Sequence, residues 1–159
     1  MGAIQNSITG ALGAAAGAAV AIKHTKDSDF SKMNSADNSA IIARNQARAA
    51  TAEANEATNE AKKEGGLNWQ LSEAEVAEGE AKKAFEKAAN RKNGSPITIL
   101  NKMTELKAAK KAADTLRDKY KAVEDLQARA TEQRRYAAKS TQIALDEKTN
   151  YEKRWRGIK

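Results

Sequence analysis

The side chains that most often carry chemistry are nearly absent from this sequence. It has no cysteine and a single histidine, His24. That excludes a disulfide framework, a thiolate metal site, and a histidine-based catalytic or metal cluster within one chain. Its 21 carboxylates lie among Lys and Arg at helical spacing, as they do on solvated faces. No phosphate-cradling P-loop, nucleophile elbow or dinucleotide fingerprint occurs. His24 follows Lys23 at the end of an uncharged stretch, where a cation complements the C-terminal end of a helix dipole. These residues predict a protein that is not an enzyme and uses no cofactor, metal ion or small-molecule substrate.

The residues best suited to binding stand at the C-terminus, where Lys153, Arg154, Trp155, Arg156 and Lys159 are opposed locally only by Glu152. Trp beside basic residues fits three uses. The indole can sit at the headgroup level of a bilayer. It can stack on a base while Lys and Arg hold phosphates. It can also anchor in a pocket of another protein, since Trp and Arg are favoured anchors. The anchoring role is the expectation carried forward. The charge distribution bears on the same choice. Residues 96–159 hold sixteen basic and nine acidic side chains, and residues 1–95 hold twelve of each. The whole net charge of +7 therefore lies in the last 64 residues, a statement about partners rather than about fold.

The elements that must carry these residues read as helices. Apolar residues make up 40% of the 159, but 34 of them are alanine and aromatics reach only 4%. With one proline, such a chain favours long helices over a large single core. Residues 1–22 carry no charge. Ile4, Ile8, Leu12 and Ile22 form a bulky set, while Gly10, Gly13 and Gly17 supply small residues, including one GxxxG. That spacing suits close helix contact or membrane insertion. The apolar run from Ile8 to Ile22 is 15 residues, shorter than the ~20 that span a bilayer. Ala19-Val20-Ala21 is like a signal cleavage site, but no basic residue precedes the apolar run. Asn6 breaks the myristoylation motif.

The polar stretch 25–35 reads as a linker. Beyond it, Ala36, Ala40, Ala43, Ala47, Ala50, Ala54, Ala57 and Ala61 recur at alternating spacings of four and three. This is a heptad seam with alanine at both core positions, and it requires helices near the close end of the usual 8–10 Å separation. Gly65-Gly66 ends that helix, and Ser72-Glu73-Ala74-Glu75 fits a capping box opening the next. Asn90–Gly94 is a turn, after which Ser95-Pro96 starts a last helix of about 60 residues. Its seam is Ala109, Leu116, Val123, Ala130, Ala137, Ala144 and Tyr151, with Ile99, Leu106, Ala113, Tyr120, Gln127, Arg134 and Thr141 between. The expected architecture is all-α: long amphipathic helices with alanine-rich seams, as a helical hairpin or coiled coil, and oligomeric. Its divisions are an apolar N-terminal helix (1–24), a linker (25–35), two alanine-rich helices (36–94) and a long C-terminal coiled-coil helix with a basic tail (95–159).

The opening MGAIQNSITGALGAAAGAAVAIKH, with Gly2, Gly10, Gly13 and Gly17, ahead of a long Ala-, Gln- and Lys-rich helical chain, resembles the small internal virion proteins of bacteriophages. These include the ejection proteins of short-tailed phages and the DNA pilot proteins of microviruses. The resemblance implies helices that assemble into a ring or tube, and an apolar segment that helps DNA cross the host envelope. It also implies a place inside the capsid or at the portal or tail vertex, with passage to the envelope at delivery. The partners it implies are further copies, other virion proteins, the host membrane, and DNA through the basic C-terminal third. Many such proteins are longer than this chain. That departure leaves a portal, tail or capsid adaptor as the alternative; a basic nucleic-acid- or envelope-binding bacterial protein is a second.

Overall fold

The computed structural model describes the backbone of residues 2–157 and the side chains of residues 19–157. Three helices account for nearly all of it: α1 (Gly2–Lys62), α2 (Leu67–Ala89) and α3 (Pro96–Trp155). The chain divides into two compact units, one from residues 1–46 with 133–159, the other from residues 47–132.

The stretch 25–35, expected as a linker, is helical, and α1 runs through it unbroken. The stretch contains no glycine or proline, so nothing in its backbone chemistry stops a helix. Its polarity reflects an outward face. On the inward face the alanine rhythm extends backwards through Met33, Asp29 and Lys26, all partly buried. His24 consequently lies in a helix interior, exposed, and not at a helix end.

Within the first unit, α1 and α3 lie antiparallel. Asp29 meets Trp155, and the segment from Met33 to Arg44 lies along that from Thr141 to Lys148. Ala40 and Ala43 are buried on α1, as are Ala137, Ser140 and Ala144 on α3.

The second unit is a three-helix arrangement. Ala47, Ala54 and Ala61 of α1 and Ala113 and Ala130 of α3 are buried in it, whereas Ala36 in the first unit and Ala50 and Ala57 in this one are half-buried. The α1–α2 turn depends on two glycines. Gly65 adopts φ +69°, a left-handed conformation that only glycine takes readily. A Cβ on Gly66 would lie 2.6 Å from the carbonyl oxygen of Glu60. This tight turn restarts the helix at Leu67, with Gly66 rather than a side chain at the cap. Ser72 is therefore inside α2 and caps nothing, contrary to the capping-box expectation. The amide of Gln70 instead donates to the Gly66 carbonyl at 3.0 Å, and its side-chain Nε2 to the Gly65 carbonyl at 2.9 Å. Pro96 opens α3 as expected, with the Ser95 carbonyl accepting from the Ile99 amide.

One ion cluster ties α2 to α3. Arg117 donates to Glu78 at 2.8 Å and Asp114 at 2.9 Å, and reaches Glu75 at 3.4 Å. The Glu78 hydrogen bond, followed by that of Asp114, raises the guanidinium pKa further above its usual value. Nearby, Gln127 Nε2 donates to the Thr58 hydroxyl at 2.8 Å, joining α3 to α1.

The inner stripe of α3 also departs from expectation in its second half. Leu126, Gln133, Ser140 and Glu147 are partly or fully buried between the sevenfold set, while Gln127 and Arg134 are exposed and Thr141 stays partly buried. Along the second unit α3 meets α2 first, where Arg117 reaches Glu75 and Glu78, and then α1, where Gln127 reaches Thr58; in the first unit it packs with α1. Different neighbours select different positions.

Overpacking tests the alanine contacts. Ala113 has no exposed surface, and Ala113→Leu should destabilise the protein by about 1–3 kcal/mol. The same change at exposed Ala52 should alter stability by no more than about 0.5 kcal/mol. Equal midpoints for the two variants in calorimetry would show that the alanine contacts are loose.

Candidate functional site

The aromatic and basic residues foreseen at the C-terminus meet α1 within the first unit. Trp155 is half-buried, and its indole N–H donates to Asp29 Oδ2 at 3.0 Å. Arg154 Nη1 reaches the same oxygen at 3.0 Å, and its guanidinium lies 5.2 Å from the centre of the Trp155 ring. One turn back, Tyr151 packs on Phe30 with ring centres 5.7 Å apart and planes at 54°, a tilted geometry favoured by ring quadrupoles. Asp29, with 18% of its side chain exposed, thus accepts one hydrogen bond from the indole and pairs with the Arg154 guanidinium.

Sequence reasoning missed Asp29 as the partner of the tail. A signal did exist: Asp29 stands seven residues before Ala36, on the same seam. Reading 25–35 as a linker hid it.

Lys153 and Arg156 remain exposed. They line an open cleft of about 470 Å³ together with Lys26, Thr149, Tyr151, Glu152 and Trp155. A second groove, of about 280 Å³, runs over the alanine contact between α1 and α3, edged by Asp37, Arg44 and Lys148. Folding also redistributes the charge. The first unit holds twelve basic and six acidic residues, the second sixteen and fifteen. The surplus that the sequence places in the last third is therefore gathered in one unit, because α1 contributes few carboxylates there.

The other expected positions fall as follows. Ile22 and its neighbour Val20 are exposed. The side chains of Ile4, Ile8, Gly10, Leu12, Gly13 and Gly17 lie outside the described residues, as do Ile158 and Lys159. Among the described residues, no group of His, Asp and Glu could hold a metal ion, and no helix is long and apolar enough to cross a membrane. The acidic side chains that do converge, Glu75, Glu78 and Asp114, converge on Arg117.

The Asp29 contact has a spectroscopic readout. With Trp69 replaced by Phe, emission reports Trp155 alone, since the chain has two tryptophans. Asp29→Ala should then shift emission to longer wavelength and lower stability by about 1 kcal/mol. Unshifted emission would mean that the indole is held by the Phe30–Tyr151 contact and not by the carboxylate.

No family model matches this chain, and no curated protein or solved structure matches it either.

Proposed function

We propose that this chain is a structural, non-enzymatic protein of a bacteriophage particle. In this reading it assembles through its helices with further copies and neighbouring virion proteins, and its apolar N-terminus helps the genome across the host envelope. One observation carries the assembly part: only alanines among the described apolar side chains are fully buried, while many large ones are exposed. Among the described residues the buried apolar core is nine alanines, with no larger apolar side chain. Ile41, Ile42, Trp69, Val76, Ile97, Leu100, Ile143 and Leu145 are all exposed. Nine buried methyl groups at about 0.8 kcal/mol each, beside larger side chains such as Leu106, Leu116 and Val123 that are only partly buried, form a weak core for two long helices and a shorter one. Large exposed aliphatic and aromatic side chains are what a partner would cover. The envelope part rests on residues 1–22, which carry no charge, and on the exposed Val20 and Ile22 that continue them.

Two measurements test this reading. In sedimentation the protein should associate at micromolar concentration, and the pair Ile42→Lys and Leu100→Lys should shift it towards monomer. A parent chain that stays monomeric with a sharp thermal transition would remove the assembly reading. In dye-filled vesicles the parent chain should cause leakage, and Ala15→Asp should abolish it, since an aspartate at the centre of a membrane helix costs about 2.5–3.5 kcal/mol. Full leakage by that variant would favour the adaptor role between virion proteins instead.

A further inference from the structure

We infer that the cleft between residue 26 of α1 and the last turn of α3 docks the phosphate headgroups of an anionic lipid bilayer. This rests on the proposed meeting of the N-terminus with a membrane and names the surface that would recognise it. The cleft brings together three cations, Lys26, Lys153 and Arg156, against one carboxylate, Glu152. The Thr149 hydroxyl and the rings of Tyr151 and Trp155 complete its wall. Cations that meet phosphate esters, beside aromatic rings that sit between water and hydrocarbon, suit the bilayer interface.

Three features favour lipid as the occupant. The first is charge: the unit that holds the cleft carries a twofold excess of basic over acidic residues, which attracts an anionic surface within a Debye length. The second is continuity. Lys26 stands one turn beyond Ile22, so α1 passes from an uncharged segment with exposed Val20 and Ile22 into the cleft. Apolar and cationic groups therefore follow each other along one helix in the order in which a bilayer presents tails and headgroups. The third concerns Trp155. Its N–H is taken by Asp29 and one ring face by the Arg154 guanidinium. That fixes the ring as a rigid wall and leaves less of it for stacking on a nucleic-acid base.

Flotation of the full-length chain with vesicles tests this. Vesicles of phosphatidylcholine containing phosphatidylglycerol should bind it more tightly than pure phosphatidylcholine, and added salt should remove the difference. The pair Lys153→Gln and Arg156→Gln, both at exposed positions, should keep the helical circular dichroism and weaken binding to the anionic vesicles by about tenfold or more. Equal binding to both vesicle types, or unchanged binding by the double variant, would overturn the inference. So would tight duplex DNA binding that the double variant loses while its vesicle binding persists. The two readings fail separately. Leakage without a preference for anionic lipid removes the headgroup site and leaves the delivery reading standing. Charge-dependent docking together with undiminished leakage by the Ala15→Asp variant does the reverse.

Discussion

Close approach of helices over alanine is the constraint on which the rest of the structure depends. A methyl group fills little space, so two helices that meet through alanine must approach nearly backbone to backbone. Ala40, Ala43, Ala47, Ala54 and Ala61 on α1, and Ala113, Ala130, Ala137 and Ala144 on α3, occupy the inward positions. The larger apolar side chains sit at the margins of these contacts, as Leu106, Leu116, Val123 and Leu126 do, or face outward, as Ile42, Leu100 and Leu145 do. The same geometry that makes each contact tight makes each contact weak, because buried area per residue is small. Polar links supplement the seam, such as Gln127 to Thr58 and Arg117 to Glu75 and Glu78.

The tail contact with Asp29 shows the same economy of apolar burial. Where the alanine seam gives out, the helices of the first unit are joined by one carboxylate that accepts from Trp155 and pairs with Arg154, with the tilted Phe30 and Tyr151 rings beside it. A helix as polar as residues 25–35 has little intrinsic reason to persist, and tertiary contact supplies one. The contact also pairs Arg154 with Asp29, while Lys153 and Arg156 line the cleft. A basic tail that looks uniform in sequence is thus divided between one ion-paired residue and two that line the cleft.

Charge segregation follows from chain path rather than from composition. The helices of the second unit balance sixteen basic side chains with fifteen acidic ones. The first unit joins the carboxylate-poor half of α1 to the most basic part of α3, and so keeps nearly all of the net charge. Repulsion within that unit is a cost that an anionic partner would relieve.

The sequence by itself determined the helices, the alanine seam on α1 and the turn between α2 and α3, because each is written in local chemistry: heptad spacing, paired glycines, and proline at a first helical position. It also determined the poverty of catalytic side chains. What it could not determine was any feature set by contact between distant segments. Residues 25–35 are a helix because Asp29 and Phe30 find Trp155, Arg154 and Tyr151 more than 120 positions away. Gln133 and Ser140 face inward and Arg134 outward where α3 packs against α1 rather than α2. Ser72 caps nothing because Gly65 turns the chain tightly enough to restart the helix five residues earlier. Local propensities are read within a turn or two of helix; which face is covered, and by what, is decided only when the helices meet.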